Sequence, residues 1–236
     1  MEAVPLSAFN PDYIRFVRNH AHGSLFQSAE WFAYQEATGN RPEAFLFFQD
    51  SLLVASCLYA RRFFPFGLEY RYIPHGPLFT KPGHPDTFVS KSHERTNILD
   101  KGVEVKNSTS SNSMDTLYSI LALTSARKKI PLPGKPIIEE LFHHTNAHLF
   151  IANYNNEPVA AAIMVLWNRT AYFLYGASSG THRNVMAPYL LHFSMMMEAK
   201  AFGMTSYDLM GVSPEDKSDH YLSEITRFKR QFGGKL

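Results

Sequence analysis

The stretch HLFIANYNNEPVAAAIMVLWNRTAYFLY, residues 148–175, decides the fold of this chain. It holds three runs of aliphatic and aromatic side chains separated by short polar turns, a composition typical of an antiparallel meander. The predicted strands are His148–Asn153, Val159–Trp167 and Ala171–Tyr175. The helix predicted next, over 187–202, is apolar on nearly every side and ends at Gly203, so we expect it to be buried.

The N-terminal part of the chain follows the same plan. Its predicted helices start at 10–12 and at Ser28, and its predicted strands are Ala44–Phe48, Leu52–Tyr59 and Leu68–Ile73. The helices predicted before the second meander are Met114–Lys129 and Pro136–His144. Asp50 in the first hairpin turn corresponds to Asn156 in the second. We interpret this repeated order, two helices and then three strands, as a duplicated module.

Only the second copy continues, through the helix, into a short strand at Tyr207–Met210 and a basic aromatic segment. We therefore predict an α/β protein in two modules. A partial N-terminal module covers 1–78, a linker with closely spaced proline and glycine covers 79–94, and one complete C-terminal module covers 95–236.

Composition restricts the class of protein. The 236 residues are 45% hydrophobic, and the one cysteine, Cys57, lies in an apolar run where we expect a buried, unreactive thiol. The first residues lack the features of a secretion signal, and the most apolar run, 159–166, is too short to span a bilayer. We therefore expect a soluble, cytoplasmic protein. Its net charge of +2 permits an anionic partner without requiring one.

Several kinds of catalytic site find no support in the sequence. No glycine-rich nucleotide-binding motif follows a strand. The Gly-x-Ser-x-Gly match at 176–180 runs into a polar loop, whereas a nucleophile elbow turns directly into a helix, so we interpret it as a small-residue loop. The histidines His143, His144 and His148 form the one tight group, but the first two diverge by about 100° on a helix. We predict no metal site.

The loop before the long apolar helix bears on acyl transfer. An acetyl-CoA enzyme of the GNAT acyltransferase type needs glycines there, so that backbone N–H groups can approach the pyrophosphate. Met186 and Pro188 occupy those positions here, and proline has no N–H. The order of elements therefore indicates an acyltransferase fold, while the loop indicates a donor other than coenzyme A. We predict no cofactor.

Eight stretches, in order along the chain, carry a resemblance to a known family. They are 26–31 (FQSAEW, with Gln35 after it), 72–77 (YIPHGP), 101–105 (KGVEV), 121–127 (LALTSAR), 175–178 (YGAS), 186–191 (MAPYLL), 207–211 (YDLMG) and 227–234 (RFKRQFGG). Together they resemble the FemABX family, aminoacyltransferases that move an amino acid from aminoacyl-tRNA onto the stem peptide of a peptidoglycan precursor. The chain departs from the family at His75, where arginine is usual, and in the short segment 78–94.

The resemblance implies a GNAT-like mixed sheet flanked by helices, in a short form with an incomplete first GNAT-like subdomain. It implies an aminoacyltransferase of interpeptide bridge formation, hence of cell-wall synthesis and cell shape, with aminoacyl-tRNA and either lipid II or UDP-MurNAc-pentapeptide as partners. Two alternatives stay open, an N-acyltransferase with another acyl donor and a non-catalytic relative that acts as a binding protein. Because a partial module exposes strand edges, we also expect a homodimer.

The resemblance also assigns roles to residues. The predicted catalytic residues are Lys229 and Phe228, with Lys229 as the cation near the oxyanion, and Asp208, which orients the site or receives a proton. The predicted precursor-binding residues are Gln35, His75, Arg95, Tyr175 and Tyr189, and the predicted tRNA-binding residues are Arg127, Lys128, Lys129 and Arg230. For Lys229, Gln35 and Tyr175, the alternatives are a solvated cation, an exposed helix residue and a packed tyrosine.

Overall fold

The structure, a computed structural model, describes residues 2–6, 10–49, 52–63, 69–79, 101–108, 110–213 and 223–232. Of the turn predicted at 49–51, residues 50 and 51 lie outside the described residues, as do the linker beyond residue 79 and Arg95. By its internal contacts the chain divides into two compact units. The first takes in Met1–Asp86 and Pro136–Thr145, and the second takes in Thr87–Lys135 and Asn146–Leu236.

The described residues form six α-helices and ten strands. The helices are α1 Pro11–Asn19, α2 Ala29–Ala37, α3 Ser111–Lys128, α4 Lys135–His144, α5 Ala187–Ala201 and α6 Ser223–Arg230. The strands are β1 Glu2–Leu6, β2 Arg41–Gln49, β3 Leu52–Phe63, β4 Glu69–Tyr72, β5 Leu78–Phe79, β6 Val103–Asn107, β7 Asn146–Tyr154, β8 Glu157–Trp167, β9 Thr170–Ser178 and β10 Ser206–Asp208. The prediction of an α/β protein is confirmed.

In the first unit, the strand order is β1-β2-β3-β4, all antiparallel, and β5 also pairs with β3. The helix starts predicted from the sequence are confirmed. Asn10 caps α1 by accepting from the backbone N–H of Asp12 at 2.8 Å, and Ser28 caps α2 by accepting from that of Trp31 at 3.1 Å. The predicted strands are confirmed as β2, β3 and β4, whereas β1 was missed.

A fully buried glutamine, Gln27, ties together three parts of the first unit. Its Nε2 donates to Leu58 O at 3.0 Å and to Pro74 O at 2.8 Å, and its Oε1 accepts from Leu58 N at 2.8 Å. The hydroxyl of Tyr13 on α1 donates to Gln27 O at 2.8 Å. A Cβ at Gly76 would lie 2.6 Å from the Gln27 amide, so the 74–76 turn can close on this side chain because residue 76 is glycine.

In the second unit, β6 to β9 are antiparallel and β10 joins β9 in parallel. The predicted meander is confirmed. Asn155 and Asn156 both have positive φ, 51° and 63°, as the tight turn between β7 and β8 requires. The outer strand β6, which was not predicted, carries the exposed pair Glu104 and Lys106, whose charged atoms lie 3.6 Å apart.

The central strand β8 is buried along 159–167, so both of its faces are covered. Its residues Ala160, Ala162, Met164 and Leu166 form one core with Leu190, Leu191 and Met195 of α5. The intervening side chains point to the opposite face, and α3 also contacts this strand. Two helices therefore flank the sheet, one on each face.

The prediction that the apolar helix is buried is confirmed for one side only. In α5, Leu190, Leu191 and Met195 are buried, but Phe193 is 45% exposed and Met197 is 51% exposed. Burial follows the side of the helix that meets the sheet, and apolar composition alone does not reveal that side. Cys57 is free and buried, as predicted, and burial raises the pKa of its thiol.

No helix among the described residues is long and apolar enough to cross a membrane. The boundaries predicted for the two modules and the linker stay a prediction. By its contacts, most of α4 groups with the first unit, although its sequence position falls within the predicted C-terminal module.

Replacing Gln27 should destabilise the first unit. Gln27→Leu leaves one N–H and two carbonyl groups without their partner, and we expect a loss of about 3 kcal/mol of unfolding free energy. Urea unfolding in a Trp167→Phe background measures this, because Trp31 is then the remaining tryptophan and lies in the first unit. Glu36→Gln, an exposed change on α2, is the control; equal stability of the two variants would contradict this role of Gln27.

Candidate functional site

The second unit has a structural break where β9 and β10 part. β10 pairs with β9 over three residues, Ser206–Asp208 beside Thr170–Tyr172, and then leaves the sheet, while β9 continues to Ser178. The Asp208 carboxylate accepts from the N–H of Met210 at 2.7 Å, and Met210 has φ of 64°, so the chain turns sharply here. We call this the β9–β10 divergence. Ligands of α/β proteins commonly bind where neighbouring parallel strands end.

Lys229 reaches the divergence from α6. The residue is 9% exposed, and its Nζ donates to Gly211 O at 2.7 Å. Burial lowers the pKa of Lys229, and the negative charge of Asp208 opposes that shift. Within the described ranges this is the one hydrogen bond of Nζ, so the ammonium keeps further N–H groups for a ligand.

An aromatic cluster fixes α6 against α5. The ring centroid of Phe228 lies 4.9 Å from that of Tyr189 and 5.4 Å from that of His192. The ring centroid of Phe232 lies 5.8 Å from that of Tyr189 and 5.0 Å from that of His192. The Tyr189 hydroxyl donates to Gln231 Oε1. Phe228 and Phe232 thus anchor the helix turn that carries Lys229.

His192 lies at the centre of this cluster and was missed by the sequence analysis. It is 2% exposed, its Nδ1 lies 3.0 Å from the hydroxyl of Tyr207, and its ring is 4.4 Å from that of Phe173. Burial, with a smaller contribution from Lys229, lowers its pKa from 6.5 to about 3, so the imidazole is neutral at physiological pH. The one signal in the sequence was a histidine within a mostly apolar helix.

Three of the predicted precursor-binding residues differ in burial and in their surroundings. Gln35, in the first unit, is 4% exposed, unlike the exposed helix residue considered as its alternative. His75, also in the first unit, is exposed, with Nδ1 3.1 Å from the Ser24 hydroxyl. Tyr175 lies half-buried on β9 opposite Ile163. Their binding roles stay predictions, and so does that of Arg95, which is outside the described residues.

The three basic residues at 127–129 differ in the contacts that they make. The guanidinium of Arg127 donates to Ser178 O and Ser179 O, both at 3.1 Å, and so holds the end of β9. Lys128 forms an ion pair with Glu224 of α6. Lys129 ends α3 in the left-handed conformation, φ 54°, and is exposed.

Two of the predicted tRNA-binding cations, Arg127 and Lys128, therefore bind groups of the protein itself. Lys129, after α3, and Arg230, at the end of α6, are exposed. The tRNA-binding role of all four residues stays a prediction.

The start of α5 does not suit the pyrophosphate of coenzyme A. Met186 has φ of 55° at the N-cap, Pro188 has no N–H, and the N–H of Tyr189 donates to Met186 O at 2.9 Å. The N–H groups that a GNAT-type phosphate loop presents are therefore scarce here. Among the described residues, no group of three or more His, Cys, Asp and Glu side chains is placed to hold a metal ion.

The second unit has an antiparallel meander, a crossing helix and a parallel strand that parts from its neighbour beside a buried lysine. That arrangement defines a GNAT-like acyltransferase fold.

Comparison with known proteins narrows this class. Residues 140–236 match the model of the FemAB family. The lipid II:glycine glycyltransferase of Staphylococcus saprophyticus is 36% identical over 77 residues, and that of Staphylococcus epidermidis is 34% identical over 77 residues. Each match covers 32% of this chain and 18% of the relative.

A crystal structure of FemX shares the fold. The likeness has a TM-score of 0.76 at 14% sequence identity and covers 100% of this chain and 94% of that chain. The likeness therefore extends over both units, whereas the sequence matches to the glycyltransferases extend over a short segment.

Stability should decrease in acid because of His192. Between the folded pKa of about 3 and the ordinary value of 6.5, the unfolded chain binds a proton that the folded chain does not. Over that window the unfolding free energy should fall, as pH decreases, by up to about 1.4 kcal/mol per pH unit from this residue. Urea unfolding at a series of pH values measures the slope, and His192→Gln should reduce it. If His192→Gln shows the same slope as the wild-type protein, His192 is already protonated in the fold over this pH window.

Proposed function

We propose that the protein is an aminoacyltransferase that moves an amino acid from aminoacyl-tRNA to the stem-peptide amine of a peptidoglycan precursor, in the synthesis of an interpeptide bridge. The match to the FemAB family model supports the class of reaction, because the matched segment 140–236 contains Lys229 and the β9–β10 divergence. The matched relatives are named for transfer of glycine to lipid II. The observation that carries the proposal is the buried ammonium of Lys229 beside the carbonyl of Gly211.

The chemistry needs little from the protein beyond alignment and charge. The ester of aminoacyl-tRNA is already activated, so an amine can attack its carbonyl directly and no covalent enzyme intermediate is required. The new C–N bond forms a tetrahedral oxyanion, the ester C–O bond then breaks, and the proton lost by the amine balances the one gained by the departing ribose hydroxyl. Lys229 would stabilise the oxyanion, and because its site is largely dry, the attraction is stronger than in water.

Phe228 and Asp208 would support this role without touching the reacting atoms. Phe228 packs against Tyr189 and holds the Lys229 turn of α6 in place. Asp208 holds the N–H of Met210 and so fixes the turn that presents Gly211 O to Lys229. In this proposal both are positioning residues.

The substrates would approach from different parts of the chain. We assign the precursor, lipid II or UDP-MurNAc-pentapeptide, to Gln35, His75, Arg95, Tyr175 and Tyr189, and the tRNA phosphates to Arg127, Lys128, Lys129 and Arg230. The exposure of Lys129 and Arg230 supports their contact with the tRNA backbone. The proposal places the reaction in the cytoplasm, and a homodimer is part of it.

Loss of the Lys229 charge should abolish most of the transfer. We expect Lys229→Ala to lower kcat about 100- to 1,000-fold, with smaller changes in KM, because the interaction is made with the oxyanion. The measurement is the transfer of labelled amino acid from charged tRNA to a UDP-linked muropeptide or to lipid II. Lys200→Ala, an exposed cation on α5, is the matched control.

Full activity in Lys229→Ala would refute the role of Lys229. If the wild-type protein transfers nothing to either acceptor, the proposed reaction is wrong. Calorimetry with coenzyme A then separates the alternatives, because binding would favour an N-acyltransferase with that donor.

Contact with tRNA should weaken as salt increases. A lysine that meets one phosphate contributes about one unit to the slope of log affinity against log salt concentration, so Lys129→Ala should reduce the slope by about that amount. Fluorescence anisotropy with uncharged tRNA at several salt concentrations measures it. Lys106→Ala, an exposed lysine on β6, is the control, and identical slopes for the two variants would remove Lys129 from the tRNA surface.

A further inference from the structure

We infer that His192 is a positioning residue for Lys229, because its imidazole is wedged between α6, which carries Lys229, and β10, which leads to the carbonyl that Lys229 binds. The catalytic consequence rests on the proposed function. The positional consequence rests on geometry alone and is measured separately.

On one side, His192 contacts α6 before Lys229 and the turn that follows α6 after it. Its ring centroid lies 5.4 Å from that of Phe228, the residue before Lys229, and 5.0 Å from that of Phe232, one turn later. Phe228 on α6 and Phe232 in the turn that follows it are thus both held against α5. The imidazole therefore sets how closely the Lys229 turn approaches the sheet.

On the other side, His192 contacts β10. Its Nδ1 lies 3.0 Å from the hydroxyl of Tyr207, which is almost completely buried. Tyr207 immediately precedes Asp208, whose carboxylate fixes Met210, and the next residue, Gly211, accepts the hydrogen bond from Lys229. His192 is therefore connected to Lys229 in two ways. One runs through Tyr207 and the turn after β10 to Gly211, and the other runs through Phe228 along α6.

The chemistry of this position favours histidine over a simple apolar residue. The Tyr207 hydroxyl lies 3.8 Å from Met195 Sδ as well as 3.0 Å from the imidazole, so it can donate to the sulfur while it accepts from Nδ1–H. Phenylalanine would fill the space but would leave a buried hydroxyl with the weak sulfur acceptor alone. Glutamine could keep a hydrogen bond but would lose the ring contacts with α6. Histidine combines the two.

The experiment reads the position of Lys229 without using activity. Isotope-labelled formaldehyde with a reductant methylates accessible lysines, and site-resolved mass spectrometry gives the rate at Lys229. We expect several-fold faster methylation of Lys229 in His192→Phe than in wild type. His148→Phe is the matched control, because His148 is a half-buried histidine of the same unit whose ring meets Phe202 instead, and it should leave the rate unchanged.

The second measurement is steady-state transfer. We expect His192→Phe to lower kcat about tenfold, with KM for both substrates nearly unchanged, because a small displacement of an oxyanion-stabilising group acts on the transition state. Tyr207→Phe breaks the same contact from the β10 side and should act in the same direction; it decides the matter if His192→Phe does not fold.

Unchanged methylation of Lys229 in both folded variants would overturn the inference. Faster methylation with an unchanged kcat would overturn it too, provided that Lys229→Ala is inactive. Absence of transfer by the wild-type protein would count against the proposed function alone, since the methylation rates still test whether His192 positions Lys229.

Discussion

The burial of β8 on both faces is the constraint on which the second unit depends. A strand without a solvent face requires a neighbour on each side and a helix above and below, and β7, β9, α3 and α5 supply them. Its alanines at 160–162 are small, so the helices can approach closely. Because α5 crosses to β10, the same packing determines where the parallel strand ends and hence where the β9–β10 divergence opens.

The candidate site buries a charged side chain, that of Lys229, and this burial costs free energy. Lys229 is desolvated, and the carbonyl of Gly211 and the carboxylate of Asp208 compensate in part. A cation that water does not screen is poorly stabilised alone and well suited to meet a negative charge that appears during a reaction. The aromatic cluster on α6 holds it there, so the stability of the fold supports the chemistry we propose.

The features that could be predicted from the sequence are those that depend on residues close together in the chain. Apolar runs bounded by turn residues revealed the meander, and the side chains of Asn10 and Ser28 marked helix starts, because strands and caps depend on local geometry. What depends on distant partners was missed: β1 and β6 are strands because they pair with β2 and β7. In the site, Lys229 was named through a family resemblance, whereas His192 becomes notable only when Tyr207 and α6 are packed around it.

The charged pair on β6 has a consequence for how copies of the protein meet in solution. An outer strand offers unpaired backbone groups to any other strand, and sheets joined in that way grow into aggregates. Glu104 and Lys106 are exposed on β6, and two copies paired along that edge would have to desolvate both charges. The outer strand of the second unit thus discourages sheet-to-sheet growth and directs any specific association to another surface.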